Sequence, residues 1–192
     1  MKRKRGKIFV ISSPSGGGKT SVCTRLKKTR FDIKYSVSAT TRTPRKGEVN
    51  GRDYHFFLKA RFKRLIKSGK FLEWADNFGD LYGTPKNFVL NNIKRSKDVI
   101  LAIDVKGAMQ VKKMYKKAVL TFLMPPSMDV LKKRLKKRKT EKGRGLARRL
   151  KVAKKELAYL KRYDYVVVND SLVRAVETFK AIITAERNKV EK

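Results

Sequence analysis

Four short apolar runs punctuate the chain, at Ile8–Ile11, Val99–Ile103, Val119–Met124 and Tyr165–Val168. Each is nearly continuous rather than alternating, the pattern of a strand buried on both faces. Between them apolar residues recur at helical spacing. The periodicity predicts helices over Lys19–Lys28, Gly107–Tyr115 and Leu172–Asn188, the last carrying Leu172, Val176, Phe179 and Ile183 on one stripe. Buried strands alternating with helices predict an α/β fold, a parallel sheet flanked by helices.

Two stretches depart from this rhythm, leaving a core of about residues 7–34, 97–126 and 163–192 in a single domain. Residues 35–96 contain short polar strands, loops rich in Gly, Arg and Tyr, a short helix around Phe62–Ile66 and another opened by Thr84-Pro85, and read as an inserted substrate module. Residues 127–162 hold two cationic helices joined by a flexible link from Lys139 to Gly145. Met128, Leu131 and Leu135 form one apolar stripe, and Leu146, Leu150, Ala153, Leu157 and Leu160 another, so each helix has a face to bury. The pair reads as a mobile lid.

With 192 residues the chain can bury roughly 70% of its unfolded surface and needs no covalent staples. Its single cysteine, Cys23, has no internal partner and falls within a predicted helix, where it reads as a packing residue in a reducing cytoplasm. No apolar run approaches the length of a membrane span, and the segment from Met1 to Lys7 lacks the apolar stretch of a signal peptide. The sole histidine, His55, reads as a surface or packing residue, which disfavours Ser-His or Cys-His catalysis and multi-histidine metal sites. Charge changes the picture more: 51 Lys and Arg against 16 Asp and Glu give +35. Such a balance favours polyanionic partners, yet the cations follow no zinc-finger or basic-zipper spacing. From Lys132 to Arg162 there are 16 basic residues and only Glu141 and Glu156 to offset them, so weak nonspecific polyanion binding is expected there.

Directly after the first apolar run comes Ser13-Pro14-Ser15-Gly16-Gly17-Gly18-Lys19-Thr20-Ser21. A strand feeding such a loop, with a helix to follow, is the pattern of a phosphate cradle. Its glycines let backbone N–H groups converge on a triphosphate without Cβ clashes. Lys19 supplies a cation for β- and γ-phosphates, Thr20 a hydroxyl for Mg²⁺, and the helix start a positive dipole end. The first glycine of the strict motif is replaced by Ser13, while the anion-wrapping part, Gly16 to Thr20, is intact.

The module carries a more specific series: the block from Ser36 through Thr40-Thr41-Arg42-Thr43-Pro44-Arg45, then Gly47-Glu48-Val49-Asn50-Gly51-Arg52-Asp53-Tyr54, Phe71-Leu72-Glu73-Trp74 and Tyr82-Gly83-Thr84. With Ile103-Asp104, Pro125-Pro126-Ser127 and Val168-Asn169-Asp170, this closely resembles the guanylate kinase family over nearly the whole chain. The resemblance implies a P-loop NTPase-type sheet with an inserted GMP-binding module and a helical lid, and transfer of the ATP γ-phosphoryl group to GMP or dGMP with Mg²⁺. Arg42 and Arg45, with the phenols of Tyr54 and Tyr82, offer donors to one phosphate monoester. Glu73 beside Trp74 is a carboxylate in an aromatic setting, suited to accept N1–H and the 2-amino group of guanine, with Ser38 and Thr84 adding hydroxyls. The resemblance further assigns Asp104 to the GMP side and Asn169 to the adenine end of ATP, and makes Arg134, Arg138 and Arg149 the lid arginines that act on the transferring group with Lys19 and Arg42.

Three positions depart from the family: Ala102 where an aspartate is usual, Lys106 for a glutamine, and a Lys- and Arg-rich link between the lid helices where acidic residues are the rule. Two other readings compete, a catalytically inactive guanylate-kinase-like module that binds phosphorylated proteins, and a nonspecific nucleic-acid-binding protein. Retention of Gly16 to Thr20 and of the lid arginines argues against the first, and the second rests on charge alone. The expected state is a cytoplasmic monomer or homodimer.

Overall fold

The computed structural model describes residues 5–29, 32–137 and 144–190. In chain order the elements are β1 (Ile8–Ser12), α1 (Lys19–Lys28), β2 (Lys34–Tyr35), β3 (Ala39–Thr40), β4 (His55–Phe56), α2 (Lys59–Lys67), β5 (Phe71–Asn77), β6 (Asp80–Pro85) and α3 (Lys86–Lys94). There follow β7 (Val99–Ala102), α4 (Val105–Met114), β8 (Val119–Met124), α5 (Met128–Lys137), α6 (Arg144–Leu157), β9 (Tyr165–Val168) and α7 (Leu172–Asn188). They fall into two compact units, one built from the residues up to Ile8 with Asp32–Ala118, the other from Phe9–Phe31 with Val119–Lys192.

In the second unit β8 lies between β1 and β9, parallel to both, with Phe9 opposite Val119 and Thr121 opposite Tyr165. All of β1 is buried and so is β8 up to Leu123, as their unbroken apolar sequences require. Helix α1 packs on α7, which turns Ala175, Val176, Phe179, Ile182 and Ile183 inward at helical spacing. Cys23 is buried on α1 beside Val22 and Leu26, a packing residue. Helices α5 and α6 bury their stripes together: Leu131, Leu135 and Ala153 form a closed cluster flanked by Met128, Leu146 and Leu150.

The first unit contains the parallel pair β2–β7 and a four-stranded sheet in the order β4-β3-β6-β5. Strand β3 runs parallel to β4 and antiparallel to β6, and β5 and β6 form a hairpin. The hairpin turn places Phe78 and Gly79 at φ 59° and 92°, so both central residues are left-handed, as a primed turn demands. Beneath the sheet Phe62 of α2 is fully buried against Ala39 and Leu81 and stacks on Phe71 at 4.4 Å between ring centroids.

A helix start and a short strand depart most from the sequence expectation. Helix α4 starts at Val105 rather than Gly107, because Asp104 caps it: its carboxylate accepts the Gly107 N–H at 2.8 Å. Strand β2, only two residues long and partly exposed, carries too little apolar signal to be read beforehand. Replacing Phe62 by Ala is expected to lower unfolding free energy by about 3–5 kcal/mol, since a fully buried ring leaves a cavity that its neighbours fill only in part. Urea denaturation with unchanged m-value measures this, and a loss below about 1 kcal/mol would mean that the cluster is loosely packed.

Candidate active site

The phosphate loop grows out of the end of β1. Gly16 and Gly18 sit at φ 90° and 100°, conformations that L side chains rarely adopt. Gly18 is also the N-cap of α1, so no side chain competes for the first N–H groups of that helix, and no acidic residue lies in its first turn. The loop is closed on itself by Gly17 N–H donating to the Pro14 carbonyl at 2.8 Å. A Cβ at residue 17 would come within 2.9 Å of the Ser13 Cβ. The glycine at 17 thus makes room for a serine where the strict motif has glycine. Ser13 is buried, Ser15 and Lys19 are half-buried, and Thr20 and Ser21 are exposed at the start of α1.

Three further sequence-predicted residues meet this loop. Asn169, 5% exposed, donates its side-chain amide to the Gly17 carbonyl at 2.8 Å. Arg134 donates to the Asn169 carbonyl at 2.9 Å and reaches the Gly17 carbonyl at 3.4 Å, and Arg149 donates to Ser15 Oγ at 3.1 Å. Leu131 and Leu135 flank Gly16, where a Cβ would lie 3.0 Å from Leu135 Cδ2. Helix α5 is therefore packed onto the loop by its leucines while its arginine is aimed there. Arg138 lies outside the described residues.

In the first unit, strand register gathers the other set. Glu73 is opposite Thr84, Ala75 opposite Tyr82, Tyr82 opposite Thr40, and Thr40 opposite Phe56. Opposed residues share a face, and so do residues two apart on a strand. That places Glu73, Thr84 and Tyr82 together, with Ser38 and Arg42 flanking β3 and Tyr54 preceding β4 at the matching parity. The Tyr54 and Tyr82 rings stand edge to face at 6.0 Å, and the Arg42 guanidinium lies 5.6 Å from the Tyr54 ring centre. Burial, reinforced by the field of Tyr82, raises the Tyr54 pKa, so the phenol remains a neutral donor at physiological pH.

Arg42 is gripped at both ends of its guanidinium. Nη2 donates to both Glu48 oxygens at 2.8 and 2.9 Å, and Nη1 donates to the Thr43 carbonyl at 2.6 Å. Burial alone would lower its pKa, but the hydrogen bond with Glu48 and the fields of Tyr82 and Glu48 outweigh burial and raise it. Glu48 also accepts the Arg45 backbone N–H at 2.7 Å, so one carboxylate shapes the whole Arg42–Arg45 turn; the Arg45 side chain itself is exposed. Glu48 was not among the residues singled out from the sequence. Its signal was present, an acidic residue three after the second arginine of a pair that needs a fixed geometry.

Glu73 is 4% exposed and its Oε1 accepts from Thr84 Oγ1 at 2.6 Å. Trp74, the adjacent residue on β5, points to the opposite face and is 41% exposed. Trp74 therefore does not supply the aromatic setting expected for Glu73 from its neighbour in sequence, because strand alternation separates the two side chains. Thr84 and the first turn of α4 lie against the carboxylate. Asp104 caps that helix and its other oxygen accepts from the Asn77 amide at the hairpin end. Lys106, at the position where the resembled family has glutamine, reaches the Asp76 carbonyl at 3.5 Å. His55 lies against Phe57, a packing role.

Every residue expected to hold GMP thus sits in the first unit, and every described residue expected to hold ATP sits in the second. Known guanylate kinases resemble the chain over nearly its whole length. The chain is 47% identical over 190 residues to the guanylate kinase of Caldanaerobacter subterraneus subsp. tengcongensis, covering 99% of this chain and 92% of that one. It is 44% identical over 185 residues to the guanylate kinase of Carboxydothermus hydrogenoformans, covering 96% and 91%. The crystal structure of guanylate kinase from Anaplasma phagocytophilum superposes with a TM-score of 0.83 at 35% identity, over 97% of this chain and 89% of that one. The guanylate kinase family model matches residues 5–186, and with a positive-φ glycine loop at the start of α1 and a buried Glu73–Thr84 pair in the module, the chain belongs to the guanylate kinase family.

Proposed function

We propose that this protein transfers the γ-phosphoryl group of ATP to the phosphate of GMP, and of dGMP, yielding ADP and GDP or dGDP. The observation that carries the reading is the buried Glu73 carboxylate, fixed by Thr84 on the face that also presents Tyr82. A buried carboxylate that accepts two donors selects guanine, whose N1–H and 2-amino group supply them; adenine has no such pair. Leaving that carboxylate buried without its ligand is costly, so the wrong base is rejected by a factor on the order of 10⁴.

In this mechanism Arg42, Arg45, Tyr54 and Tyr82 hold the GMP phosphate, Glu73, Ser38 and Thr84 hold the base, and Asp104 lies on the GMP side. The acceptor is a phosphate monoester, already anionic at neutral pH, so no general base is needed and catalysis reduces to alignment and charge neutralisation. The residues from Ser13 to Ser21 wrap the ATP phosphates with backbone N–H groups, Lys19 adds its charge, and Asn169 braces the loop toward the adenine end. Arg134, Arg138 and Arg149 stabilise the transferring group, supported for two of them by their contacts at the loop. The Thr20 hydroxyl at the start of α1 is a hard oxygen donor that fits Mg²⁺ arriving with the nucleotide, and the ion would neutralise charge on the β- and γ-phosphates. Among the described residues no helix is long and apolar enough to cross a membrane. In the proposed reading the enzyme works in the cytoplasm as a monomer or homodimer.

A weaker polyanion interaction is proposed for the outer faces of α5 and α6. Lys132, Lys133, Lys136, Arg148, Lys151, Lys154 and Lys155 are all exposed there, while the apolar stripes face each other. Cations at this density attract nucleic acid by counterion release without reading its sequence.

Replacing Lys19 by Met is expected to lower kcat by at least about a hundredfold and leave GMP affinity nearly unchanged, because the lost charge acts on the triphosphate in the transition state. Steady-state kinetics with ATP and GMP decides this; near-normal turnover would sink the mechanism.

Glu73→Ala should weaken GMP by about 1–3 kcal/mol and erase its preference over AMP, whereas Arg42→Ala should weaken both monophosphates alike. If the two variants exchange these phenotypes, the base and phosphate ends of the site have been reversed.

Gel retardation should show short RNA or DNA fragments binding at low salt and released near physiological ionic strength, with inhibition of the kinase following the same curve. Salt-insensitive or strongly sequence-dependent binding would instead make nucleic acid a specific partner.

A further inference from the structure

We infer that α4 is the backstop that positions the Glu73 carboxylate, through Gly107 and Gln110, and thereby sets how strongly guanine is preferred over purines with fewer donors. The inference rests on the reading of Glu73 as the guanine acceptor and adds residues to it that contact no ligand. Three observations converge. A Cβ at residue 107 would lie 2.2 Å from Glu73 Oε2 and 2.9 Å from its Cδ, closer than real Cβ atoms come to any neighbour. The atoms it would meet are a carboxylate already pinned on its other oxygen by Thr84. The carboxylate thus lies with Oε1 on Thr84 and Oε2 in the notch that glycine leaves.

The backbone carrying Glu73 is held from the same helix. One turn after Gly107, the Gln110 side-chain amide pairs with the Trp74 peptide as a neighbouring strand would: Oε1 accepts its N–H at 3.3 Å and Nε2 donates to its carbonyl at 2.8 Å. The β5 strand lies at the edge of its sheet, so this amide replaces a missing ladder partner at the residue next to Glu73. A β-bulge between Phe71 and Glu73 interrupts the regular ladder on the other side. Gln110 clamps the backbone one residue past that interruption. At the far end of β5, Asn77 donates to Asp104, the cap of α4. The strand is thus tied to the helix at Trp74 and at Asn77, with Glu73 seated against Gly107.

The helix does not touch the phosphate residues Arg42, Arg45 and Tyr54 through any of these contacts, so its effect should be confined to the base. Inosine monophosphate separates the two ends: it keeps N1–H and the phosphate but lacks the 2-amino group. With the intact enzyme and ATP as donor, Gly107→Ala is expected to raise the KM for GMP about tenfold or more, to leave the KM for ATP unchanged, and to shrink the preference for GMP over inosine monophosphate. Gln110→Ala should move the same quantities in the same direction by a smaller factor, and it adds no atoms, so it decides the matter if the alanine at 107 prevents folding. Unchanged GMP KM and preference in the folded variants would overturn the inference. So would an equal loss for GMP and inosine monophosphate, which would mean a general loosening of the unit. Glu73→Gln tells this failure from that of the underlying reading. If it abolishes the preference while the α4 variants keep it, only the role of α4 falls; if it too leaves the preference intact, Glu73 is not the guanine acceptor and both fall.

Discussion

Burying a carboxylate is the constraint around which the substrate module is organised. A Glu73 carboxyl at 4% exposure is tolerable only where hydrogen-bond partners meet it. The chain meets the demand with Thr84 directly across the hairpin and with a helix whose third residue is glycine. Those requirements fix other features in turn. Thr84 faces Glu73 only if β5 and β6 keep their register, which depends on the tight primed turn at Phe78-Gly79 and on the fully buried Phe62 stacked against Phe71. The same register puts Tyr82 on the Glu73 face, where its ring meets Tyr54. The residues proposed to hold the base and those proposed to hold the phosphate therefore share one strand alignment, and a slip of one residue would turn both sets outward.

The phosphate ends follow a different logic, that of backbone and preorganised cations. In the loop the donors are peptide N–H groups exposed by glycines at positive φ, which need no side-chain ordering when an anion arrives. In the module the guanidinium of Arg42 is held in advance by Glu48 and Thr43, with side chains only 13% and 19% exposed for the Arg42–Glu48 pair. A carboxylate partner reduces the net charge presented to a phosphate but removes the rotamer search of a long side chain. With the Tyr54 pKa raised, that phenol adds a donor without adding negative charge.

Much of this was legible in the sequence because the decisive signals are local. Continuous apolar runs gave β1, β7, β8 and β9 nearly to the residue, and the spacing from Leu172 to Ile183 gave α7. The phosphate loop is a contiguous string, and so is the arginine pair around Pro44. What escaped was set by pairing across distance. Strand alternation sent Trp74 away from Glu73, although the two are adjacent in sequence. Gly107 reads from the sequence as the first residue of a helix when it is a notch inside α4, because the carboxylate that fills the notch lies 34 positions earlier in the chain, on β5. Glu48 and Gln110 are ordinary surface-type residues until their partners, the Arg42 guanidinium and the Trp74 peptide, are known.

The distribution of the two residue sets between compact units bears on how such a site can persist in so basic a chain. Each unit assembles its own anion-binding groups around internal partners: Arg42 around Glu48 in the first, Arg134 around the Gly17 and Asn169 carbonyls in the second. Cations fixed by short contacts inside a unit feel the surrounding lysines only through solvent, where screening confines an unpaired charge to about 8–10 Å at physiological ionic strength. A charge of +35 can therefore accumulate on outward faces such as those of α5 and α6 without redirecting arginines that are held by Glu48 or by the Gly17 and Asn169 carbonyls. Lysine enrichment changes what the surface attracts, while recognition at the site stays with geometry, because a guanidinium locked in two hydrogen bonds has orientation to offer and a solvated ammonium has only charge.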